Sequence, residues 1–396
     1  MKFSSKIEKC ELSPIRKFHS FAMAAEAKGR TIYHLNIGQP DVETPRQFFD
    51  AARDFGDKVL EYAPSQGVPE YIEAVKQYYA RIGVPLASED ILATTGGSEA
   101  LQIIMHCLLD DGDELLTPEP FYPNYSTFVT VTGAVIKPIP TTAEDGYRYA
   151  DRALIESCIT ERTRAILLTN PGNPTGTVLT KDELHMLCEI AVAHNIFLVA
   201  DEVYREFVYS GGPLSSVTQL EEFAQNVIVV DSVSKRFSAC GARVGAIISR
   251  NREFMSQAMK LCQGRLCVAT LDQVAAAALY SVEPAYFAAV REEYKRRRDA
   301  AMAKLLAIPG VVCRCPEGAF YIMAKLPVDN ADSFQQWLLE EFADRDETVM
   351  FSPGEGFYAT PGKGVDEIRI AYVIKQEHLE RAVELLGLGI AAYNNR

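Results

Sequence analysis

Lys235 lies in a segment whose residue types could hold a phosphate group and form a covalent bond to a carbonyl compound. Residues 232–245 read S-V-S-K-R-F-S-A-C-G-A-R-V-G, so two serines flank the lysine closely and Arg243 follows eight residues later. A lysine amine forms imines readily when it is partly desolvated and close to other cations, because both lower its pKa. The hydroxyls and the arginine would supply hydrogen-bond donors to a phosphate dianion. A single lysine near a strand end is usually a surface residue, and the complete spacing is what favours a covalent site.

Polar residues also follow two predicted strands earlier in the chain. Asp201 and Tyr204 come directly after the apolar run at 196–200, and the sequence N-P-G-N-P-T-G at 170–176 follows the run at 165–169. Taken alone, the aspartate is also typical of a helix cap, and the Pro- and Gly-rich sequence is typical of a turn. Because open α/β sheets bind ligands at the carboxyl ends of their strands, these residues are predicted to lie at a ligand site.

Three further motifs add possible ligand contacts. Residues 94–101 read T-T-G-G-S-E-A-L and open an apolar helix pattern, which suits close approach of an anion but is explained equally by an ordinary cap. Tyr122 lies in an aromatic, proline-rich stretch that is also typical of core packing. Arg369 alternates with apolar residues as in a strand, where an arginine usually points to solvent. A guanidinium can instead bind a carboxylate through two parallel hydrogen bonds.

The segment around Lys235 resembles the cofactor-lysine signature of the class I and II aminotransferases, which are fold type I pyridoxal-phosphate enzymes. The resemblance extends from N-I-G-Q-P-D at 36–41 to I-R-I at 368–370. It implies that Lys235 is the Schiff-base lysine and moves a proton between the substrate Cα and the cofactor C4′. It also implies that three residues bind the cofactor phosphate: Ser232, Ser234 and Arg243.

The resemblance implies the remaining cofactor contacts in the same way. Asp201 would form a salt bridge with the pyridinium nitrogen, which keeps the ring an electron sink. Asn173 and Tyr204 would donate to the phenolate oxygen and lower the pKa of the imine, and Asn173 would also contact the substrate. Tyr122 would stack on the pyridine ring. Three residues at the helix start would donate to the phosphate, the last of them through its main chain: Gly97, Ser98 and Glu99.

Substrate and subunit contacts follow from the same resemblance. Arg369 would bind the substrate α-carboxylate, and Gly38 would add a backbone contact to it. Arg265 lies thirty residues after the Schiff-base lysine and loosely matches the second arginine of the dicarboxylate-specific branch. Packing at a subunit interface is the alternative for that arginine. Tyr62, in the sequence Y-A-P-S-Q-G, matches a tyrosine that reaches the cofactor phosphate of the neighbouring subunit, which implies a homodimer with shared active sites.

The implied activity is a ping-pong transfer of an amino group. The donor would be an L-amino acid, with aspartate or glutamate as the first choice, and the acceptor a 2-oxo acid such as 2-oxoglutarate. Two alternatives stay open, namely a C–S β-lyase or decarboxylase on the same fold and a non-catalytic pyridoxal-phosphate sensor. The sequence lacks the spacing of a P-loop, a G-x-G-x-x-G dinucleotide motif and a G-x-S-x-G nucleophile elbow.

Apolar periodicity predicts the elements that position these residues. Four short apolar runs predict buried strands, at 165–169, 196–200, 226–231 and 244–249. Amphipathic stretches separate them, and one begins with a capping box formed by Thr180 and Glu183. The alternation predicts an α/β fold, in which a large domain has a mainly parallel sheet covered by helices on both faces.

A smaller α+β domain is expected towards the carboxyl end. Its predicted elements are a long helix and two short strands, at 286–306, 319–323 and 367–371. The predicted organisation has three parts, namely an N-terminal arm with part of the small domain at 1–44, a large cofactor-binding domain at 45–285 and a small domain at 286–396.

Composition narrows the possible partners. The 396 residues carry a net charge of -13, which gives nucleic acid no basic surface to bind. Nine cysteines occur without a C-x-x-C pair, and no apolar leader is present, so reduced thiols, a cytoplasmic location and no metal site are predicted. No run of about 18 apolar residues predicts a membrane span.

Overall fold

The strands that precede the predicted site residues lie together in one large sheet. The computed structural model of the chain describes residues 1–209, 212 and 214–396. In chain order, the strands are β1 (Thr31–His34), β2 (Ile91–Thr94), β3 (Glu114–Pro118), β4 (Val135–Ile139), β5 (Thr163–Thr169), β6 (Phe197–Asp201), β7 (Val227–Ser232), β8 (Gly245–Ile248), β9 (Val312–Cys313), β10 (Tyr321–Lys325), β11 (Glu347–Met350), β12 (Ser352–Pro353) and β13 (Glu367–Ala371).

Helices connect most of these strands. In chain order, they are α1 (Ser5–Glu8), α2 (His19–Ala27), α3 (Arg46–Arg53), α4 (Pro69–Arg81), α5 (Gly96–Leu108), α6 (Asn124–Thr130), α7 (Arg152–Cys158), α8 (Lys181–Ala193), α9 (Val233–Arg236), α10 (Arg252–Arg265), α11 (Thr270–Leu279), α12 (Pro284–Leu305), α13 (Ala331–Glu340) and α14 (Gln376–Asn394). Short 3₁₀ helices include Pro14–Arg16 and Cys240–Ala242. Within the described chain, no helix has both the length and the apolar composition needed to cross a membrane.

The large sheet has seven strands in the order β2-β8-β7-β6-β5-β3-β4. All neighbouring pairs from β7 to β4 are parallel, whereas β8 runs antiparallel to both β7 and β2. The mainly parallel sheet is therefore confirmed, with the predicted strand at 244–249 as the exception. The link from β7 to β8 contains only the four-residue α9 and a 3₁₀ turn, whereas a parallel crossover normally uses a full helix.

Helices cover both faces of this sheet, as the apolar runs predict. In β5, Ala165 and Leu167 belong to one hydrophobic core, while Ile166 and Leu168 belong to a second core on the opposite face. The first core includes residues of α5 and the second includes residues of α8. A strand buried on both faces needs an unbroken apolar sequence, and this is why alternation is absent from these runs.

Local signals place two helices as predicted. The Thr180 hydroxyl accepts from the Glu183 N–H at 3.2 Å, and the Glu183 carboxylate accepts from the Thr180 N–H at 2.7 Å, which forms the predicted capping box of α8. Helix α12 begins at Pro284, two residues before the predicted start, because proline suits the first turn of a helix. The strand predicted at 319–323 begins at Tyr321 instead, since Ala319 has a left-handed φ of 55°.

Two smaller sheets lie outside the seven-stranded one. An antiparallel sheet has the order β12-β13-β10-β9, and β1 pairs in parallel with β11. The amino-terminal strand thus joins elements from the last quarter of the chain, in line with the expected mixed composition of a small domain. The predicted domain boundaries at 45 and 286 stay predictions.

Candidate active site

A cavity of about 550 Å³ lies at the carboxyl ends of β6 and β7 and collects most of the predicted site residues. Its volume falls within the range of about 300–1,000 Å³ that is usual for small-molecule pockets. Strand β7 leads directly into α9, so Lys235 is held one turn beyond the end of the sheet. The cavity therefore forms where an open α/β sheet places its ligands.

One end of the cavity is rich in hydrogen-bond donors. Gly97 and Ser98 line it from the first turn of α5, where backbone N–H groups have no partner within the helix. Ser232 and Ser234 line it from the start of α9, with their hydroxyl oxygens 2.8 Å apart. The Arg243 guanidinium lines the same cavity and donates to the Thr95 carbonyl at 3.3 Å. A helix start, two hydroxyls and one cation suit a phosphate dianion.

Gly96 allows the arginine to approach the start of α5. Its φ of 73° lies in the left-handed region, and a Cβ at this position would lie 2.4 Å from an Nη atom of Arg243. A larger residue would therefore strain the backbone and displace the guanidinium. This close approach explains why the G-G-S-E motif begins with glycine. From the sequence alone, an ordinary helix cap explained the motif equally well.

The Lys235 amine points into the cavity. Its Nζ donates to the Gly38 carbonyl at 2.8 Å and lies 3.8 Å from the Cys240 sulfur. The rings of Tyr204 and Phe320 have their centroids 5.9 Å from the same nitrogen. The amine is thus held by one carbonyl against aromatic surface, in reach of a ligand that fills the cavity.

Asp201 presents a buried carboxylate to the cavity. The residue is 5% exposed, and its carboxylate accepts from the Tyr125 hydroxyl at 2.8 Å and from the Val203 N–H at 3.4 Å. Within the described residues no lysine, arginine or histidine forms an ion pair with it. Desolvation raises its pKa from 3.8 to about 6. A carboxylate in this position favours a cationic ligand group beside it.

Tyr204, Asn173 and Tyr321 form a hydrogen-bonded group on the cavity wall. The Asn173 amide donates to the Tyr204 hydroxyl at 3.4 Å, and the hydroxyls of Tyr204 and Tyr321 are 2.9 Å apart. Burial raises the pKa of Tyr204 well above its ordinary value, so its phenol stays protonated and can donate. Tyr122 lines the cavity as well and meets Tyr125 edge-to-face with ring centroids 5.5 Å apart.

Arg369 is buried rather than exposed to solvent. It is 1% exposed, its Nη1 donates to the Asn173 side chain at 3.1 Å, and its Nη2 donates to the Asn36 carbonyl at 2.5 Å. Its Nε has no partner in the described chain, and no carboxylate there pairs with the guanidinium. Desolvation lowers its pKa. A buried guanidinium with unused donors at a cavity is suited to bind an incoming carboxylate.

The family is decided by the match of residues 30–386 to the model for aminotransferase class I and II. The chain belongs to the class I and II aminotransferases. The aminotransferase is 29% identical over 394 residues to an aspartate aminotransferase of Geobacillus stearothermophilus, covering 97% of this chain and 98% of that one. It is 31% identical over 393 residues to aromatic-amino-acid aminotransferase 2 of Thermococcus litoralis, covering 97% of each chain.

Comparison of structures gives the same result. A mutant of Thermus thermophilus aspartate aminotransferase superposes with a TM-score of 0.89 at 27% identity, covering 98% of this chain and 100% of that one. The aminotransferase therefore has both the fold and the activity class implied by its sequence motifs. Class I and II aminotransferases are pyridoxal-phosphate enzymes, and this agrees with the donor-rich end, amine and buried carboxylate of the cavity.

Three predicted site residues of the aminotransferase lie outside its cavity. Arg265 forms an ion pair with Glu99 at 3.1 Å and donates to the carbonyls of Ser65 and Ala93 at 3.1 and 3.2 Å. The Glu99 carboxylate also accepts from the Thr95 N–H at 2.6 Å, so its side chain stabilises the start of α5. Tyr62 is 81% exposed and makes no contact with the cavity of its own chain.

The predicted contact of Arg265 with a substrate is therefore not made from this position in its own chain. Its guanidinium is held by a carboxylate and two carbonyls, which leaves little reason for it to bind a second anion. The exposure of Tyr62 is what a residue used by a neighbouring subunit requires, and that role stays a prediction.

Several cavity residues were missed from the sequence. Tyr321 lay within a predicted strand, and Cys240 lay within the lysine motif, but neither residue type signalled a site by itself. Asn124 lies within the aromatic stretch that contains Tyr122, but its own residue type did not mark it. Arg16 comes from the amino-terminal segment, where no motif marked it. Arg16 is brought to the cavity by the fold alone, since its neighbours in the sequence carry no ligand signature.

Proposed function

We propose that this aminotransferase binds pyridoxal 5′-phosphate through Lys235 and moves an amino group between an acidic L-amino acid and a 2-oxo acid. The observation that carries the proposal is that one amine lies in a cavity with a donor-rich end and a buried carboxylate that has no ion-pair partner among the described residues. The cofactor has three groups that match these features. Its phosphate would bind at the donor-rich end, its aldehyde would react with the amine, and its ring nitrogen would lie beside the carboxylate.

The residues present fit this cofactor. Ser232, Ser234 and Arg243, with the first turn of α5, would hold the phosphate. Asp201 would hold the protonated ring nitrogen, which supplies the ion-pair partner that this carboxylate lacks among the described residues. Tyr122 would lie against the ring. When bound, the cofactor withdraws electrons from the substrate Cα, so that its proton becomes acidic.

Each remaining side chain has a task that follows from its geometry. Arg369 binds the α-carboxylate of the substrate, and its Nε, which has no partner among the described residues, is one of the available donors. The backbone of Gly38 contacts the same carboxylate. Lys235 removes the proton from the substrate Cα once its amine is free. Asn173 and Tyr204 donate towards the cofactor phenolate oxygen. Their other hydrogen bonds position the side chains of Arg369 and Tyr321.

The choice of an acidic substrate is supported by relatives. Several are named aspartate aminotransferases, and the Thermococcus litoralis relative is named for aromatic amino acids. We take aspartate or glutamate as donor and 2-oxoglutarate as acceptor in a two-stage, ping-pong cycle. The enzyme would work in the cytoplasm as a homodimer, with the exposed Tyr62 of each chain completing the phosphate pocket of the other.

A half-transamination screen tests this function. Purified holoenzyme is mixed with each amino acid in the absence of any 2-oxo acid, and the absorption of the cofactor is followed. We expect aspartate and glutamate to convert the cofactor to its amine form, and 2-oxoglutarate to reverse the change. Release of pyruvate with ammonia from a cysteine conjugate or of carbon dioxide, without the amine form, would identify a lyase or a decarboxylase instead. A cofactor band that no amino acid changes would identify a sensor.

A further inference from the structure

Among the residues that the structure describes, four positively charged side chains line the cavity, and one of them has no task in the proposed reaction. They are Arg16, Lys235, Arg243 and Arg369. The proposed function uses Lys235 for the covalent link, Arg243 for the phosphate and Arg369 for the α-carboxylate. An acidic amino acid carries a second carboxylate, which needs a further cation in the same cavity.

The segment that carries Arg16 is tied to the α-carboxylate site. Arg16 ends the 3₁₀ helix Pro14–Arg16, and the carbonyl of the preceding residue, Ile15, accepts from the Asn36 side chain at 3.1 Å. The carbonyl of the same Asn36 accepts from Arg369 at 2.5 Å. Asn36 is only 3% exposed, so one buried residue fixes both arginines to the same wall of the cavity.

Packing holds the same helix from the other side. The ring of Pro14 lies against Gly356, where an added Cβ would be 2.4 Å from the Cβ of the proline. The helix therefore packs closely on the carboxyl-terminal part of the chain. Its last residue is held at the cavity by backbone contacts, while its side chain is left exposed to reach a ligand.

The Arg16 guanidinium is available for a ligand. Within residues 1–209, 212 and 214–396, no carboxylate lies within ion-pair distance of it and no carbonyl accepts from it. The neighbouring cation differs, since Lys17 pairs with Asp332 at 2.8 Å. Arg265, the arginine suggested by sequence, is occupied by Glu99.

We infer that Arg16 binds the side-chain carboxylate of the acidic substrate and so determines the preference for dicarboxylates. The inference rests on the proposed function, because it requires an aminotransferase that accepts aspartate or glutamate. Arg369 then binds the carboxylate common to every amino acid, and Arg16 binds the one that only acidic substrates have. The planar guanidinium is suited to this task because it offers two parallel donors to a carboxylate.

The test compares two substrates in four forms of the holoenzyme: wild type, Arg16→Gln, Arg16→Lys and the control Lys17→Gln. In Arg16→Gln, kcat/KM for aspartate should fall about tenfold or more, the usual effect of losing one hydrogen bond to a charged group. The value for alanine should change less than about threefold. Arg16→Lys should retain part of the aspartate activity, and Lys17→Gln, which removes a charge from the next residue, should behave as wild type.

Equilibrium binding supplies a readout that needs no turnover. Succinate has two carboxylates and no amine, so it can bind the holoenzyme without reacting, and butyrate has one carboxylate. Calorimetry should give an affinity for succinate that falls about tenfold in Arg16→Gln, whereas the affinity for butyrate stays unchanged. An unchanged melting temperature would show that the variant is folded.

The outcomes separate this inference from the proposed function. Suppose that wild type converts aspartate, but that in Arg16→Gln kcat/KM falls equally for aspartate and alanine, or for neither. The inference is then overturned and the proposed function stands. The same holds if Arg265→Gln, assayed in parallel, is the variant that loses aspartate selectively. If wild type ignores acidic amino acids and prefers neutral or aromatic ones, the proposed substrate class itself is wrong.

Discussion

At the scale of single residues, the cavity contains two buried charges that have no ion-pair partner among the residues the structure describes. Asp201 is 5% exposed and Arg369 is 1% exposed, and neither forms an ion pair within the described residues. Taking a charge out of water without a partner is costly. Asp231 shows the alternative in the same sheet, because it pairs with the buried Arg236. The two unpaired charges are therefore best explained by the opposite charges of bound ligands.

The free-energy cost of burying the ionised Asp201 carboxylate can be measured in the cofactor-free protein. Its pKa is raised from 3.8 to about 6, so the folded state disfavours the ionised form and the penalty is complete above about pH 6. In Asp201→Asn this penalty is absent, and the cofactor-free variant should be more stable than wild type at about pH 8, by on the order of 2–3 kcal/mol. At about pH 4 the two proteins should have similar stability. Thermal unfolding of both proteins across this pH range is the measurement.

A matched control is Asp231→Asn, which removes a buried carboxylate that does have a cation. This variant should be less stable than wild type at about pH 8, since it leaves Arg236 buried without its partner. Destabilisation of Asp201→Asn to the same degree at this pH would contradict the view of Asp201 as an unpaired charge. In the holoenzyme, Asp201→Asn should slow removal of the Cα proton by about 100-fold or more.

Lys235→Ala tests the covalent role directly. The variant should still bind pyridoxal phosphate through the phosphate contacts, but borohydride treatment should no longer fix the cofactor to the chain. Turnover should fall by at least about 100-fold, because the variant loses the group that is proposed to move the Cα proton. Lys260→Ala, which changes an exposed lysine of α10, is the control. Turnover close to wild type in Lys235→Ala would refute the assignment.

At the scale of elements, the start of α5 and the loop after α9 together form the donor-rich end of the cavity, which we propose binds the cofactor phosphate. Gly96→Ala should strain a residue with left-handed φ and displace Arg243. We expect the dissociation constant for pyridoxal phosphate to rise about tenfold, with kcat at saturating cofactor much less affected. Gly241→Ala is the control, since an added Cβ there meets no atom within 4 Å. Equal cofactor affinity in both variants would count against this pocket.

The elements of the large sheet could be predicted because burial on both faces leaves unbroken apolar runs, such as the one from Ala165 to Leu168. The antiparallel direction of β8 was missed because its apolar sequence fits either direction. The available cue was the link through α9, which is too short for a normal parallel crossover. The start of β10 was missed because the left-handed φ of Ala319 is set by its surroundings, and alanine gives no signal of it.

The site residues can be divided in the same way into those that the sequence predicted and those that it did not. Lys235, Asp201 and Asn173 were predictable because each lies in a motif just beyond a strand. Arg16 was not, since it lies about twenty residues before Asn36 and reaches the cavity only through tertiary contacts. Arg265 was suggested by spacing alone, and spacing gives no information about Glu99, which holds its guanidinium. The motifs therefore predicted which of their residues lie at the cavity, whereas Arg16 was missed because packing alone brings its segment there.

At the scale of the whole molecule, the proposal requires two chains. Tyr62 is 81% exposed, and its neighbours Val59 and Leu60 are 65% and 62% exposed, so an apolar, aromatic segment is left uncovered. If this segment completes the phosphate pocket of a second chain, Lys235→Ala and Tyr62→Ala should each be inactive. A mixture of the two should regain about a quarter of wild-type activity, since half of the dimers are hybrids and each hybrid has one intact site.

The control for this mixture is each variant mixed with itself under the same exchange conditions, which should regain nothing. Light scattering should give the mass of two chains for wild type. A fully active protein with the mass of one chain would contradict the shared site, and so would an active Tyr62→Ala.

The parallel pairing of β1 with β11 has a consequence for synthesis of the chain. Thr31 pairs with Glu347, and 347 − 31 gives a separation of 316 residues along the chain. Ribosomes add about 5–20 residues per second, so the first strand waits roughly 15–60 s for its partner. During that time the seven-stranded sheet, complete by residue 248, can already fold, whereas the segment with Arg16 still lacks the region of Gly356 on which Pro14 packs. A nascent chain halted before β13 should therefore already bind pyridoxal phosphate weakly through Lys235, and should acquire its hold on amino acids only when Arg369 has left the ribosome.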